Sequence, residues 1–203
     1  MKDRVAVGPL SKIRIDVIDN GGQWTHREWR VLRYIGAETK IIPNTTPMEE
    51  IEADGLVLSG GAPRVGFQPD LLGRCSDYID NGEIPLLAIC VGLQFFALYL
   101  DGEVGSSEAP EFGRTEIEVI EEDTILKGLP DHFVAWTSHN DHVMRLPDGF
   151  RSIARSKHCE VQAAAHDTKP WFGTQFHPEV EQTEHGYEIF TNYKEFVAEY
   201  RGS

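Results

Sequence analysis

Read from residue 13 onward, the chain alternates short apolar runs with amphipathic ones. Residues 13–18, Ile-Arg-Ile-Asp-Val-Ile, are β-branched at the apolar positions and run into Asp19-Asn20-Gly21-Gly22, a turn cluster. Residues 24–35 space Trp24, Val31, Leu32 and Ile35 among basic residues, as an amphipathic helix does. Ile41-Ile42 before Pro43 predicts a short strand, and Gly55 to Ser59 a compact apolar one ending in Gly60-Gly61. Leu71 to Ile79 is expected as a helix, Pro85 to Cys90 as a buried strand and Val91 to Leu100 as a helix. Strands alternating with short helices in this way predict a parallel sheet with right-handed crossovers.

The second half is richer in strands, expected over 114–120, 132–137, 150–155, 160–165 and 171–176. A last helix is expected over 184–200, with Tyr187, Phe190, Tyr193, Phe196, Val197 and Tyr200 on its inner face. The fold class is therefore α/β: an open, mostly parallel twisted sheet with flanking helices, plus an antiparallel, strand-rich second half. No composition break or repeat divides it, so residues 13–203 read as one domain behind a short lead-in, 1–12.

Composition narrows the partners. The chain has 203 residues, a net charge of -14 and three cysteines. Acidic surfaces repel phosphate backbones, which argues against nucleic acid as a partner. No apolar run reaches the roughly 18 residues of a membrane span, and Met1 to Leu10 lacks a secretory apolar core. Cys75, Cys90 and Cys159 are odd in number and lack Cys-x-x-Cys spacing, which predicts no disulfide framework, no bound metal and a cytoplasmic location.

Three loops carry the candidate chemistry, each at an expected carboxyl end of a strand, where open α/β sheets place their sites. In Ala88-Ile89-Cys90-Val91-Gly92-Leu93-Gln94 a cysteine ends a strand and opens a helix. That is the setting of a nucleophile elbow, and the helix N-terminus favours thiolate. A buried core cysteine would leave the same heptapeptide. In Gly173-Thr174-Gln175-Phe176-His177-Pro178-Glu179, His177 suits a general base and Glu179 could orient its ring. A surface turn explains that tripeptide too. Ser59-Gly60-Gly61-Ala62-Pro63 offers backbone N–H groups to an anion, or is a plain glycine turn. It lacks the Asp-Ser of the related pyrophosphate loop, so the chain shows no nucleotide site of its own. Jointly the three loops supply nucleophile, base, orienting acid and anion donors.

These residues resemble the class I glutamine amidotransferases, a flavodoxin-like fold. The likeness extends to the GMP synthase branch in which the glutaminase is a separate chain. It is carried also by Asp19-Asn20-Gly21-Gly22-Gln23, Pro43-Asn44-Thr45-Thr46-Pro47, Gly102-Glu103-Val104-Gly105 and Trp136-Thr137-Ser138-His139-Asn140-Asp141. The resemblance implies that Cys90 attacks glutamine, with His177 and Glu179 as base and orienter, and that the amides of Gly61 and Val91 form the oxyanion hole. It implies Gln94, Ser138, His139, Asn140 and Asp141 as glutamine contacts. No cofactor is implied in this chain. ATP and magnesium are expected on a heterodimer partner, an ATP-pyrophosphatase synthetase subunit that aminates XMP with the ammonia. The chain departs from the family pattern at Ala88, Leu93 and the inserted Ala62, which leaves Gly60 and Gly61 both open as the loop's donor. A glutaminase for anthranilate or aminodeoxychorismate synthesis, a γ-glutamyl peptidase and a noncatalytic flavodoxin-like binding module are the competing readings. His26, His132, His142, His158, His166 and His185 carry no motif, and Cys75 and Cys159 are expected to be inert.

Overall fold

The computed structural model describes residues 12–63 and 68–202. The first half runs β1 (Ile15–Asp19), α1 (Thr25–Tyr34), β2 (Ile41–Pro43), β3 (Gly55–Leu58), α2 (Cys75–Asn81), β4 (Leu86–Ile89) and α3 (Val91–Tyr99). The second runs β5 (Glu103–Val119), β6 (His132–Arg145), β7 (Phe150–Arg155), β8 (Ala163–His166), β9 (Trp171–Thr174) and α4 (Gly186–Gly202). Among the described residues the strands form one sheet in the order β2-β1-β3-β4-β9-β8-β7-β5-β6. Pairing is parallel from β2 to β9 and antiparallel from β9 to β6. All but Lys12 of the lead-in lies outside the described residues.

The central strands are apolar on both faces because both faces are covered. Side chains alternate across a strand, so Val57, Leu87, Ile89 and Phe172 join one core with Val31 and Leu32 of α1 and Ile189, Phe190, Tyr193 and Val197 of α4. Leu56, Leu58, Leu86, Ala88 and Trp171 face the other way and pack with Tyr78 and Ile79 of α2 and Phe96 of α3. Leu58 pairs with Ala88, and Ile89 with Thr174. These three strands therefore end nearly level, and the segments holding Gly60, Cys90 and His177 leave the sheet at one edge.

Three expectations change most, beside β6 running on to Arg145 and β8 starting only at Ala163. The helix expected over 71–79 is a 3-10 turn, Pro69–Leu72, followed by α2. Gly73 divides them at a φ of 54°, where an added Cβ would sit 2.6 Å from the Asn44 carbonyl oxygen. The strand expected over 114–120 begins eleven residues earlier, at Glu103, because the antiparallel β5–β6 ribbon is largely solvated and lacks the apolar signal of a buried strand. On α4, Tyr187 and Tyr200 lie outside the core, 52% and 39% exposed, and the inner face is Ile189, Phe190, Tyr193 and Val197.

Candidate active site

Cys90 is the cap residue of α3, at φ 51° and ψ -104°. A side chain rarely takes that conformation, and holding it costs about 1–3 kcal/mol. The turn is fixed on both sides: the Cys90 N–H donates to Thr174 O at 2.6 Å, and Gln94 N–H donates to Cys90 O at 3.0 Å. Val91 opens the helix, so its amide belongs to the first turn, whose N–H groups lack intrahelical acceptors. Gly92 allows α3 to approach β3, since an added Cβ would lie 2.7 Å from Leu58 O. The same gap admits the methyl of Ala88, 3.4 Å from that position. Leu93 is buried against Gly173 of β9, on the sheet rather than on the site.

His177 follows β9 and is 4% exposed. Its Nδ1 lies 2.7 Å from Glu179 Oε1. Its backbone N–H donates to Trp136 O at 2.9 Å, and Thr183 Oγ1 donates to its carbonyl at 2.6 Å, so the loop is tied to β6. The Trp24 ring meets the imidazole edge-on, with centroids 4.4 Å apart. Burial alone would drive the proton off the ring. The Glu179 carboxylate and the Cys90 sulfur outweigh it and raise the His177 pKa to about 10. A thiol at a helix N-terminus, facing an imidazole held by a carboxylate, can exist as a thiolate–imidazolium pair and attack a carbonyl carbon.

Two hollows meet at Cys90. One, about 230 Å³, is lined by Gly21, Gly22, Gln23, Trp24, Glu28, Gly60, His177 and Glu179, and the other, about 110 Å³, by Val91, Gln94 and Ser138 to Asp141. Gly61, Ala62, Cys90 and Ser138 border both. Gly60 lies against the nucleophile–base pair, since a Cβ there would be 3.2 Å from His177 Cε1 and 3.8 Å from Cys90 Cβ. Gly61 pairs with Gly21 in an isolated antiparallel bridge. A wider hollow of about 630 Å³ beside them shares Gly21 and Ala62 but not Cys90.

The expected glutamine contacts sort into two kinds. Ser138 and Asn140 lie on the more exposed face of β6, while His139 and Asp141 lie on its buried face. Gln94 turns its amide inward: Nε2 donates to Asp141 O at 2.7 Å and lies 3.3 Å from Gln175 Oε1. It braces the wall of the smaller hollow. His139 Nε2 sits 3.2 Å from Glu111 Oε2, directly across the β5–β6 ladder. Glu111 accepts in turn from Ser156 Oγ at 2.7 Å and Gln162 Nε2 at 2.6 Å. Burial opposes the Glu111 charge, but His139 and Ser156 prevail and hold its carboxyl below the usual range.

Cys75 donates to Asn20 Oδ1 and Cys159 to Val161 O, each at 3.4 Å, and burial pushes both thiols up to about 12. They remain thiols at neutral pH, unsuited to attack.

Sequence reasoning missed Trp24, Gln175 and Glu28. Gln175 Nε2 lies 3.5 Å from the Cys90 sulfur. Glu28 is fully buried among the α1 residues that face the sheet, with Thr25, Val31 and Leu32. Helical spacing from Leu32 could have found it, had an acid not suggested a solvated face.

Comparison with known proteins places this geometry in a lineage. Residues 16–196 match the family glutamine amidotransferase class-I. The A subunit of glutamine-hydrolyzing GMP synthase from Thermoplasma acidophilum is 49% identical over 190 residues, 93% of this chain and 95% of that protein. Its counterpart from Thermococcus kodakarensis is 46% identical over 193 residues, 91% and 99% of the two chains. A crystal structure from T. acidophilum, described as a GMP synthase A subunit, superposes with a TM-score of 0.90 at 48% identity, covering 94% of this chain and 96% of that one. A Thermotoga maritima glutamine amidotransferase shares the fold at a TM-score of 0.69 and 23% identity, covering 83% and 76%. The chain belongs to the class I glutamine amidotransferases, in the group of the GMP synthase A subunits.

Proposed function

We propose that the chain is the glutaminase subunit of a two-chain GMP synthase, hydrolysing L-glutamine through Cys90, His177 and Glu179. The observation that carries the reaction is the elbow cysteine beside an imidazole 2.7 Å from a buried carboxylate, between two hollows. The pathway rests on the 44–49% identity to GMP synthase A subunits over most of the chain. Those relatives weigh against the anthranilate, peptidase and noncatalytic readings.

In the reading we favour, Cys90 Sγ bonds to the side-chain carbonyl carbon of glutamine. The carbonyl oxygen gains charge and is met by the amides of Gly61 and Val91. His177, held by Glu179, gives its proton to the departing nitrogen, and the carbon–nitrogen bond breaks to release ammonia. The thioester left on Cys90 is opened by water, from which His177 takes a proton, giving glutamate and the free thiolate. Ser138 and Asn140 bound the glutamine from β6, and Gln94, His139 and Asp141 shape that wall from behind. Ammonia passes to an ATP-pyrophosphatase synthetase subunit that activates XMP. ATP and magnesium belong to that heterodimer partner, with no cofactor in this chain. No helix among the described residues is long and apolar enough to cross a membrane. We place the complex in the cytoplasm, without nucleic acid as a partner.

The test is ammonia release from glutamine by wild type and Cys90→Ala, with and without an XMP-activating synthetase. Wild type alone should be slow, faster with the partner and its nucleotides, and the mutant inactive. Hydrolysis retained in Cys90→Ala would overturn the chemistry. Stimulation by a chorismate-using partner instead would overturn the pathway.

A further inference from the structure

Glu28 is a carboxyl group that the reaction above does not use, yet it shares the 230 Å³ hollow with Cys90, His177 and Glu179. Its Oε1 accepts the Gly60 N–H at 3.3 Å. Its Oε2 is buried without a hydrogen-bond partner among the described residues, as is Oε2 of Glu179. A buried acid with one oxygen unmatched is costly unless something holds it there. What Glu28 holds is the amide immediately before the proposed oxyanion donor.

We infer that Glu28 is a positioning residue for the hydrolysis. It clamps the glycine loop by taking the Gly60 amide, which withdraws that N–H from the substrate and leaves the Gly61 amide as the loop's donor. The inference rests on the glutaminase reading and resolves which glycine serves. Ser59 steadies the loop from the other side, where its Oγ accepts the Asn20 N–H at 3.0 Å and lies 2.9 Å from Gly60 O. Gly22 seals it from above, because a Cβ there would lie 2.3 Å from Gly60 O. Glu28 thus supplies the loop's only side-chain contact to the Gly60 N–H among the described residues.

The clamp's carboxyl is pushed toward its neutral form. Burial, the Glu179 carboxylate and, least, Asp19 all resist a charge on Glu28, and the Gly60 bond and His177 offset them only in part. Its proton affinity is accordingly well above that of an ordinary carboxylate. A neutral acid of this shape has a close mimic in glutamine, which keeps the accepting oxygen at the same reach. Leucine fills the space without accepting, and aspartate is one carbon short.

Glu28→Gln, Glu28→Leu and Glu28→Asp therefore separate the clamp from bulk packing. Glutaminase kinetics are measured with the synthetase partner, alongside iodoacetamide alkylation of Cys90 followed by mass spectrometry. Glu28→Gln should keep kcat within about twofold of wild type. Glu28→Leu and Glu28→Asp should lose about 10- to 100-fold in kcat with KM little changed, the range set by losing one oxyanion donor or less. All three should alkylate Cys90 at close to the wild-type rate, since the nucleophile–base pair is untouched. Wild-type kcat in Glu28→Leu would overturn the clamp. So would equal losses in Glu28→Gln and Glu28→Leu, or activity and alkylation lost together. A wild type that alkylates at Cys90 but never hydrolyses glutamine would bring down the glutaminase reading itself, and the clamp's role with it.

Discussion

His177 carries the largest consequence of any single side chain, because its proton belongs to two neighbours at once. Burial at 4% exposure opposes the charge, and Glu179 and Cys90 overturn that opposition together. Removing the sulfur leaves only Glu179 on the favourable side. In Cys90→Ala the imidazole should titrate clearly below the value of about 10 set by the intact site. The sign for stability follows. A histidine raised from 6.5 to about 10 stabilises the fold fully below 6.5 and loses that contribution as pH rises through 10. Cys90→Ala should shrink the fall in stability across that window. Ring-proton NMR on both proteins, followed from pH 5 to about 11, checks the titration. An unchanged His177 midpoint would mean that the sulfur and imidazole do not share the proton.

At the scale of elements, α4 is pinned to the far edge of the sheet, away from the chemistry. The Tyr193 hydroxyl reaches Leu56 O at 2.8 Å and Pro85 O at 2.9 Å, near the starts of β3 and β4. Gly55 makes room for it, as a Cβ there would sit 3.0 Å from that hydroxyl. Tyr193→Phe removes one donor and keeps the ring, so it should cost about 0.5–1.5 kcal/mol of stability. The glutaminase kcat should not change, because Cys90 leaves β4 at its opposite end. Denaturant melts would show a lower midpoint at constant slope, and a kcat loss would contradict the separation of the two edges. Elements of this kind were the legible part of the chain. Leu86–Ile89 is buried on both faces and reads as a strand by composition alone, and β7 coincides with the expected 150–155. β5 could not be read in full because Ser106, Ser107 and Glu108 give no apolar rhythm. In the site, the meeting of Cys90, His177 and Glu179 at one edge was legible from two strand ends, with the glycine loop at a third. Glu28 was not, since an acid inside a helix face is explained only by the Gly60 amide it meets. Nor was the Glu111–His139 contact, which depends on the register across β5 and β6.

For the whole molecule, the alkaline limb of stability is where its charge and its core act in the same direction. The chain carries 33 acidic residues against 19 basic ones. Raising pH above neutrality adds negative charge to a surface already self-repelling, a term that salt screens over about 10 Å at 0.1 M. Inside, Cys75 and Cys159 are held as thiols by burial, with pKa values near 12 against 9.0 for a free thiol. Burial drives the Tyr78 and Tyr193 hydroxyls upward as well. Each group keeps its proton longer in the fold than in the unfolded chain. Between pH 9.0 and about 12 the folded state therefore binds more protons, and stability falls as pH rises, having been complete below 9.0. Salt should recover the surface part of that loss and leave the buried part, because desolvation is not screened. Thermal melts at pH values of about 8 and 10.5, each in low and high sodium chloride, separate the two. The Cys75→Ala/Cys159→Ala variant starts from a lower melting temperature, having lost packing, but its melting temperature should fall less steeply with pH in high salt. If both proteins fall in parallel there, the buried thiols contribute nothing to the alkaline limb, and what salt leaves of it belongs to the other buried groups, Tyr78, Tyr193 and His177.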